Sequence, residues 1–183
     1  MHSRLATYIL FLRGVMPTGK NKVPMAELKK ILSEDGFIDV QTWIQSGNVV
    51  VKTALAREEI ADTVSKLIEE KIGAQIPIIV LTHKELLMIL KENPFDNNKY
   101  DSSRIFFSLY NATIDALLKT QLQETDFHPE ELRIGNQVAY MYIPGTYGRG
   151  KLSNTFFEKK TKIIATSRNA NTLRKMIEMT QSL

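Results

Sequence analysis

The 183-residue chain contains no cysteine. Disulfide scaffolds, thiolate nucleophiles and thiolate metal sites are therefore excluded. The absence fits a reducing compartment, and a cytoplasmic location is expected. Histidine is scarce: His2, His83 and His128 have no metal-ligand spacing to one another. No metal and no cofactor is expected. Long apolar runs are missing too. The longest, Leu5–Leu12, stops at Arg13 and is too short to span a bilayer. No small-x-small cleavage pattern follows it, so it reads as a buried strand and not as a signal segment. No membrane association is expected. No serine sits in a G-x-S-x-G elbow. The acidic pairs Glu58-Glu59, Glu69-Glu70 and Glu130-Glu131 read as solvated helix or turn charges, not as general acids.

What is present is ordinary in bulk. Apolar residues make up 43% and charged residues 24%, so a packed core is expected. The length suits one large domain or two small ones. The net charge of +4 is too mild for a dedicated nucleic-acid binder. Its distribution is uneven. Residues 133–183 hold nine Lys/Arg against two Glu, whereas residues 92–132 hold three against eight acids. Such asymmetry creates a local field that the total hides.

Periodicity orders the elements. Leu5–Leu12 is a continuously apolar strand. A helix starts near Pro24, carries Met25, Leu28, Ile31 and Leu32, and stops at Gly36. Phe37–Gln45 alternates, with Ile38, Val40 and Ile44 on one face. Ser46-Gly47 turns the chain into the strand Asn48–Lys52. Ile60, Val64, Leu67, Ile68 and Ile72 line a helix, and Ile76–Leu81 is another strand. Thr82 and Glu85 form a capping box for a short helix. Asn93-Pro94 and Asp96–Asn98 then read as a connection. The order recurs: strand Arg104–Leu109; a helix capped by Asn111; a hairpin of Leu132–Ile134 and Gln137–Ile143 around Gly135-Asn136; helix Ser153–Lys160; strand Ile163–Ala165; and a last helix. The fold class is α+β, two ferredoxin-like β-α-β-β-α-β units joined by a helix, with a C-terminal helix. The expected division is residues 1–82, a linker helix and loop at 83–101, and residues 102–183. A single α+β sheet from the same elements is the alternative.

Two glycine- and cation-rich loops stand out. The first runs from Arg13 to Lys22. Gly14 and Gly19-Lys20 satisfy the start of the phosphate-loop spacing G-x-x-x-x-G-K. Asn21 replaces the magnesium-binding hydroxyl, and no apolar strand ends in an aspartate, which argues against an NTPase loop. A simpler anion site survives, with Arg13, Lys20 and Lys22 beside a helix start. A flexible loop with solvated cations is the plain alternative. The second loop, Pro144–Asn154, carries Gly145, Gly148, Gly150, Arg149 and Lys151, with Ser153 as a helix cap. A mobile connection would also use those glycines. A third segment, Thr166–Thr172, offers more caps than one helix needs. Arg168 there is unfavourable at a helix start unless an anion is near. Asn169 and Asn171 add donors. Gln45, Ser46 and Asn48 flank a tight turn and are able to line a cleft. Tyr140, Tyr142 and Tyr147 are either base-stacking platforms or packing on a half-buried face.

These segments also resemble a known family. Thr7-Tyr8-Ile9, Phe11-Leu12-Arg13-Gly14 and Gly19–Leu28 resemble the opening of the bacterial family known as domain of unknown function 1697. Gln45-Ser46-Gly47-Asn48-Val49-Val50, Pro144–Ser153, Arg168-Asn169, Asn171-Thr172 and Arg174-Lys175 resemble its later motifs. Met16-Pro17-Thr18 and Gly150 depart from the usual pattern. The resemblance implies a bacterial cytosolic protein with two similar α/β halves. It brings no established activity.

The leading expectation is a protein that binds an anionic ligand: a phosphorylated metabolite, a nucleotide or a nucleic acid. The site residues would be Arg13, Gly14, Gly19, Lys20, Asn21, Lys22, Gln45, Ser46, Asn48, Arg149, Lys151, Arg168, Asn169 and Asn171. The alternatives are an enzyme acting on a phosphate-bearing substrate, and an interaction module working through self-association or a protein partner. The sequence sets no oligomeric state.

Overall fold

The structure, a computed structural model, describes residues 4–182. His2 lies outside the described residues. Two four-stranded antiparallel sheets form the frame, each built from a β-α-β-β-α-β run, and a C-terminal helix follows. The first run is β1 (Ala6–Leu12), α1 (Met25–Glu34), β2 (Ile38–Trp43), β3 (Asn48–Thr53), α2 (Arg57–Ile72) and β4 (Ile78–Leu81). Its strand order is β2-β3-β1-β4. After α3 (His83–Lys91), the second run is β5 (Ile105–Leu109), α4 (Ala116–Glu124), β6 (Glu131–Ile134), β7 (Val138–Tyr142), α5 (Asn154–Thr161) and β8 (Thr166–Asn169), ordered β6-β7-β5-β8. The last helix, α6, is Ala170–Gln181. The two sheets therefore repeat one topology, the ferredoxin-like one. By compactness, one unit takes in the described residues up to Leu86 and those from Arg174 onward, and the other is Leu87–Leu173.

In the first unit, Leu10, Leu12, Val49, Val51, Ile78 and Val80 face Leu28 and Leu32 of α1 and Ile60, Val64 and Ile68 of α2 in one buried cluster. The intervening residues Ile9, Phe11, Val50, Ile79 and Leu81 are also buried. Burial on both faces is why Leu5–Leu12 reads as a continuous apolar run. The second unit repeats the arrangement, with Tyr110, Leu132, Ile134, Ala139 and Met141 packed against Leu122 of α4 and Phe157 of α5. The capping box at Thr82 forms as expected: Thr82 N–H donates to Glu85 Oε2 at 2.7 Å, and Glu85 N–H donates to Thr82 Oγ1 at 3.2 Å.

Several local expectations are corrected. The last strand is Thr166–Asn169, not Ile163–Ala165. Lys162 adopts a left-handed conformation that ends α5, and β8 then pairs Arg168 with Phe107 and Ser167 with Ser108. The helix expected from Asn111 starts later, where Asp115 accepts from Leu118 N–H at 3.0 Å. The alternation of β2 breaks. The register slips between Ile38 and Gln41, with Asp39 at φ 52°, so Ile38 and Ile44 are exposed while Val40 is buried. The second hairpin turns on Asn136-Gln137, not Gly135-Asn136: Gly135 N–H donates to Val138 O at 2.9 Å, and Gln137 has φ 60°.

Candidate functional site

In the first unit, the first loop is folded upon itself. Met16 N–H donates to Asn21 O at 2.9 Å and Lys22 N–H to Gly19 O at 3.2 Å. Gly14 and Gly19 both hold positive φ, at 71° and 81°. Arg13 is half-buried at the end of β1, its N–H donating to Pro77 O at 2.9 Å. Lys20 and Lys22 are exposed, and Asn21 is half-buried beside Gly14. The chain enters α1 through Pro24, and no side chain caps that helix N-terminus. Lys20 stands well before Met25, the first helical residue. This is not the spacing of an NTPase loop, in which the glycine-lysine pair opens the helix.

The 44–47 turn is locked onto that loop. Leu12 N–H donates to Gly47 O at 2.8 Å. A Cβ on Gly47 would stand 2.5 Å from Leu12 Cβ and 3.0 Å from Val15 Cγ2. Asn48 is fully buried, and its Nδ2 donates to Trp43 O at 3.1 Å and Ser46 Oγ at 3.0 Å. Gln45 and Ser46 remain exposed. The turn that carries Gln45, Ser46 and Asn48 thus adjoins the start of the loop, at Leu12 and Val15. Asn48 fixes the turn's shape, whereas the others offer polar groups at the surface.

In the second unit, the second loop is anchored by Tyr147. Asn154 N–H donates to the Tyr147 hydroxyl at 2.9 Å, and that hydroxyl donates to Ser167 Oγ at 3.0 Å. Tyr147 packs on Phe106, Tyr142 on Tyr100, and buried Tyr140 donates to Ile89 O at 2.9 Å. All three tyrosines are packing residues. Ser153 caps α5, accepting from Phe156 N–H at 3.0 Å. Arg149 and Lys151 are exposed and line a cavity of about 360 Å³ with Phe127, His128, Pro129 and Glu130.

Arg168 does not share that surface. Successive strand residues point to opposite faces. Ser167 faces Ser108 and Tyr147, whereas Arg168 donates from Nη1 to Thr166 Oγ1 at 2.7 Å on the reverse face. Burial lowers its guanidinium to about 10, so it stays cationic at neutral pH. Asn169 is the α6 cap, accepting from Thr172 N–H at 2.9 Å. Asn171 is exposed in the first turn of α6.

The expectation of a solvated charge at Glu130 is corrected. The residue is 6% exposed, not solvated, and its Oε2 accepts from Leu152 N–H at 2.7 Å. The signal was indirect: a glycine at 150, where any Cβ would overlap Glu130 Oε1. Among the described residues, no group of three or more His, Cys, Asp or Glu is placed to hold a metal. No helix among them is long and apolar enough to cross a membrane.

The repeated topology defines an α+β protein of two ferredoxin-like units. The chain belongs to the family described as protein of unknown function DUF1697, whose model matches residues 5–140. A solved structure described as the conserved bacterial protein SP0830 from Streptococcus pneumoniae is similar, with a TM-score of 0.71 and 22% sequence identity. The likeness covers 96% of this chain and 99% of that one, and it concerns the fold. A search of curated proteins gave no match.

Proposed function

We propose that the protein binds an anionic ligand, a phosphorylated metabolite, nucleotide or nucleic acid, through the Arg13–Lys22 loop and the adjoining 44–47 turn. One observation carries the reading: a self-closed loop with two positive-φ glycines and exposed Lys20 and Lys22 leads into a helix N-terminus that no side chain caps. Unsatisfied N–H groups at a helix start attract anions, and nearby ammonium groups add to that field. The lock between Gly47 and Leu12 supports it further, since it holds Gln45 and Ser46 beside the loop at no ordering cost on binding.

The test is titration of inorganic phosphate, nucleotides and oligonucleotides into the wild type and a Lys20→Ala/Lys22→Ala variant. Binding by the wild type that falls about tenfold or more in the variant is expected. Equal binding by both, or none by either, would sink the reading. A steep inverse dependence on salt would assign the ligand to the polyanions, and a shallow one to small molecules.

A further inference from the structure

Glu130 is the most unusually placed charged residue of the second unit. A carboxylate this buried needs hydrogen-bond partners, because burial without them costs free energy. It receives one donor, Leu152 N–H on Oε2. Oε1 lies against the open face of Gly150 and meets neither a donor nor an ion-pair partner among the described residues. The residue forms part of the wall of the cavity under the second loop, and in this position its carboxylate occupies the space that a Cβ at position 150 would take.

The rest of that wall is chemically divided. Arg149 and Lys151 supply cations, and Lys151 Nζ donates to His128 O at 3.4 Å. Phe127 and Pro129 supply apolar surface. At about 360 Å³ the cavity is in the range of small-ligand sites, roughly 300–1,000 Å³. Arg149 rests on a loop fixed by Arg149 N–H to Thr146 O at 3.1 Å and by Arg104 Nη1 to Gly145 O at 3.2 Å.

We infer that this cavity binds a phosphorylated sugar, with Arg149 and Lys151 on the phosphate and Glu130 Oε1 accepting from a sugar hydroxyl. Two cations against one carboxylate favour a ligand of net negative charge. A carboxylate accepts only, so its complement is a donor, and sugar hydroxyls are neutral donors. Inorganic phosphate would suit the cations and leave Oε1 unmet. A ligand carrying an ammonium group would bring a third cation beside Arg149 and Lys151. The apolar wall of Phe127 and Pro129 suits the C–H face of a sugar ring. This site is independent of the one proposed for the first loop and uses none of its residues.

The experiment compares ribose 5-phosphate, ribose and inorganic phosphate by calorimetric titration. The wild type is expected to bind ribose 5-phosphate about tenfold or more tightly than inorganic phosphate, the effect of one added hydrogen bond to a charged group. Glu130→Gln keeps an acceptor for Leu152 N–H and adds a donor. It is expected to narrow the preference for ribose 5-phosphate over phosphate, because a charged acceptor for the hydroxyl is replaced by a neutral amide. Arg149→Ala/Lys151→Ala is expected to weaken ribose 5-phosphate binding about tenfold or more. Amide shift perturbations in the wild type provide a reading that needs no variant: they are expected at Gly145–Leu152. Absence of ribose 5-phosphate binding, perturbations confined to the first loop, or an undiminished sugar preference in Glu130→Gln would each overturn the inference.

Discussion

Gly47 and Leu12 meet backbone to backbone. The Leu12 amide donates to the Gly47 carbonyl at 2.8 Å, and the space where a Gly47 Cβ would stand is filled by Leu12 Cβ at 2.5 Å. Gly47 also has φ 82°, which an L side chain rarely adopts. Gly47→Ala is therefore expected to destabilise the first unit by about 2 kcal/mol or more, combining backbone strain with overpacking. Urea unfolding measures it, and an unchanged midpoint would show that the loop and turn are free to separate.

Ile44 sits three residues earlier with φ 49° and its side chain exposed. A β-branched residue in the left-handed region is strained, and here burial gives little in return. Ile44→Asn is expected to raise stability by roughly 1 kcal/mol, since asparagine tolerates that conformation. Thermal melting reads the change. A fall in Tm would mean that Ile44 makes contacts worth more than its strain.

Glu85 gives acid sensitivity to the first unit. Burial alone would raise its carboxyl. Donation from Thr82 N–H, the Arg57 guanidinium and the Thr82 hydroxyl outweighs burial and holds it below the ordinary 4.5. A lowered carboxyl stabilises the fold above its ordinary value, and that contribution is lost as pH falls through the native value. Glu85→Gln is expected to be less stable than wild type at neutral pH. Its stability is also expected to fall less steeply below 4.5. Parallel pH profiles for the two proteins would refute the assignment.

Tyr110 and Tyr140 are expected to resist alkaline ionisation. Burial, first of all, pushes both phenols well above the ordinary 10.0, with Tyr140 adding to Tyr110 and Glu92 adding to Tyr140. Their raised values stabilise the fold below the unfolded value, and that contribution is lost as pH rises beyond it. Absorbance titration should find two of the six tyrosines silent near 10.0 until the chain unfolds. Six equivalents titrating together in the folded protein would contradict this.

Ser153→Ala removes the α5 cap and is expected to cost about 1 kcal/mol in the second unit. Ser153→Asp should restore most of it, because an aspartate accepts the same Phe156 N–H. Equal losses in both variants would place the effect in packing, not in the cap.

The architecture was legible because its elements announce themselves locally. Leu5–Leu12, the stripe of α2 and the Thr82–Glu85 box follow from period and cap chemistry. What escaped depended on partners distant in sequence. Thr166–Asn169 has a polar composition, yet pairing with the buried β5 makes it a strand. Ile163–Ala165 looks more like one, but Lys162 has already turned the chain. The same holds at the sites. Lys20, Lys22, Arg149 and Lys151 were readable as charge beside glycine. Glu130 was not, since its burial follows from Leu152 and Gly150, some twenty residues away.

The slip in β2 carries a further meaning for life in concentrated solution. This strand ends its sheet, and an unbroken outer strand is a template on which another chain is able to add. The extra residue between Ile38 and Gln41 interrupts the even spacing of its outward amides and carbonyls. Asp39, exposed there and tied to Lys52 of β3 at 2.8 Å, sets a charge beside the same border. A defect in pairing thus serves as a guard against fibrous stacking, with Ile38 and Trp43 exposed beside it.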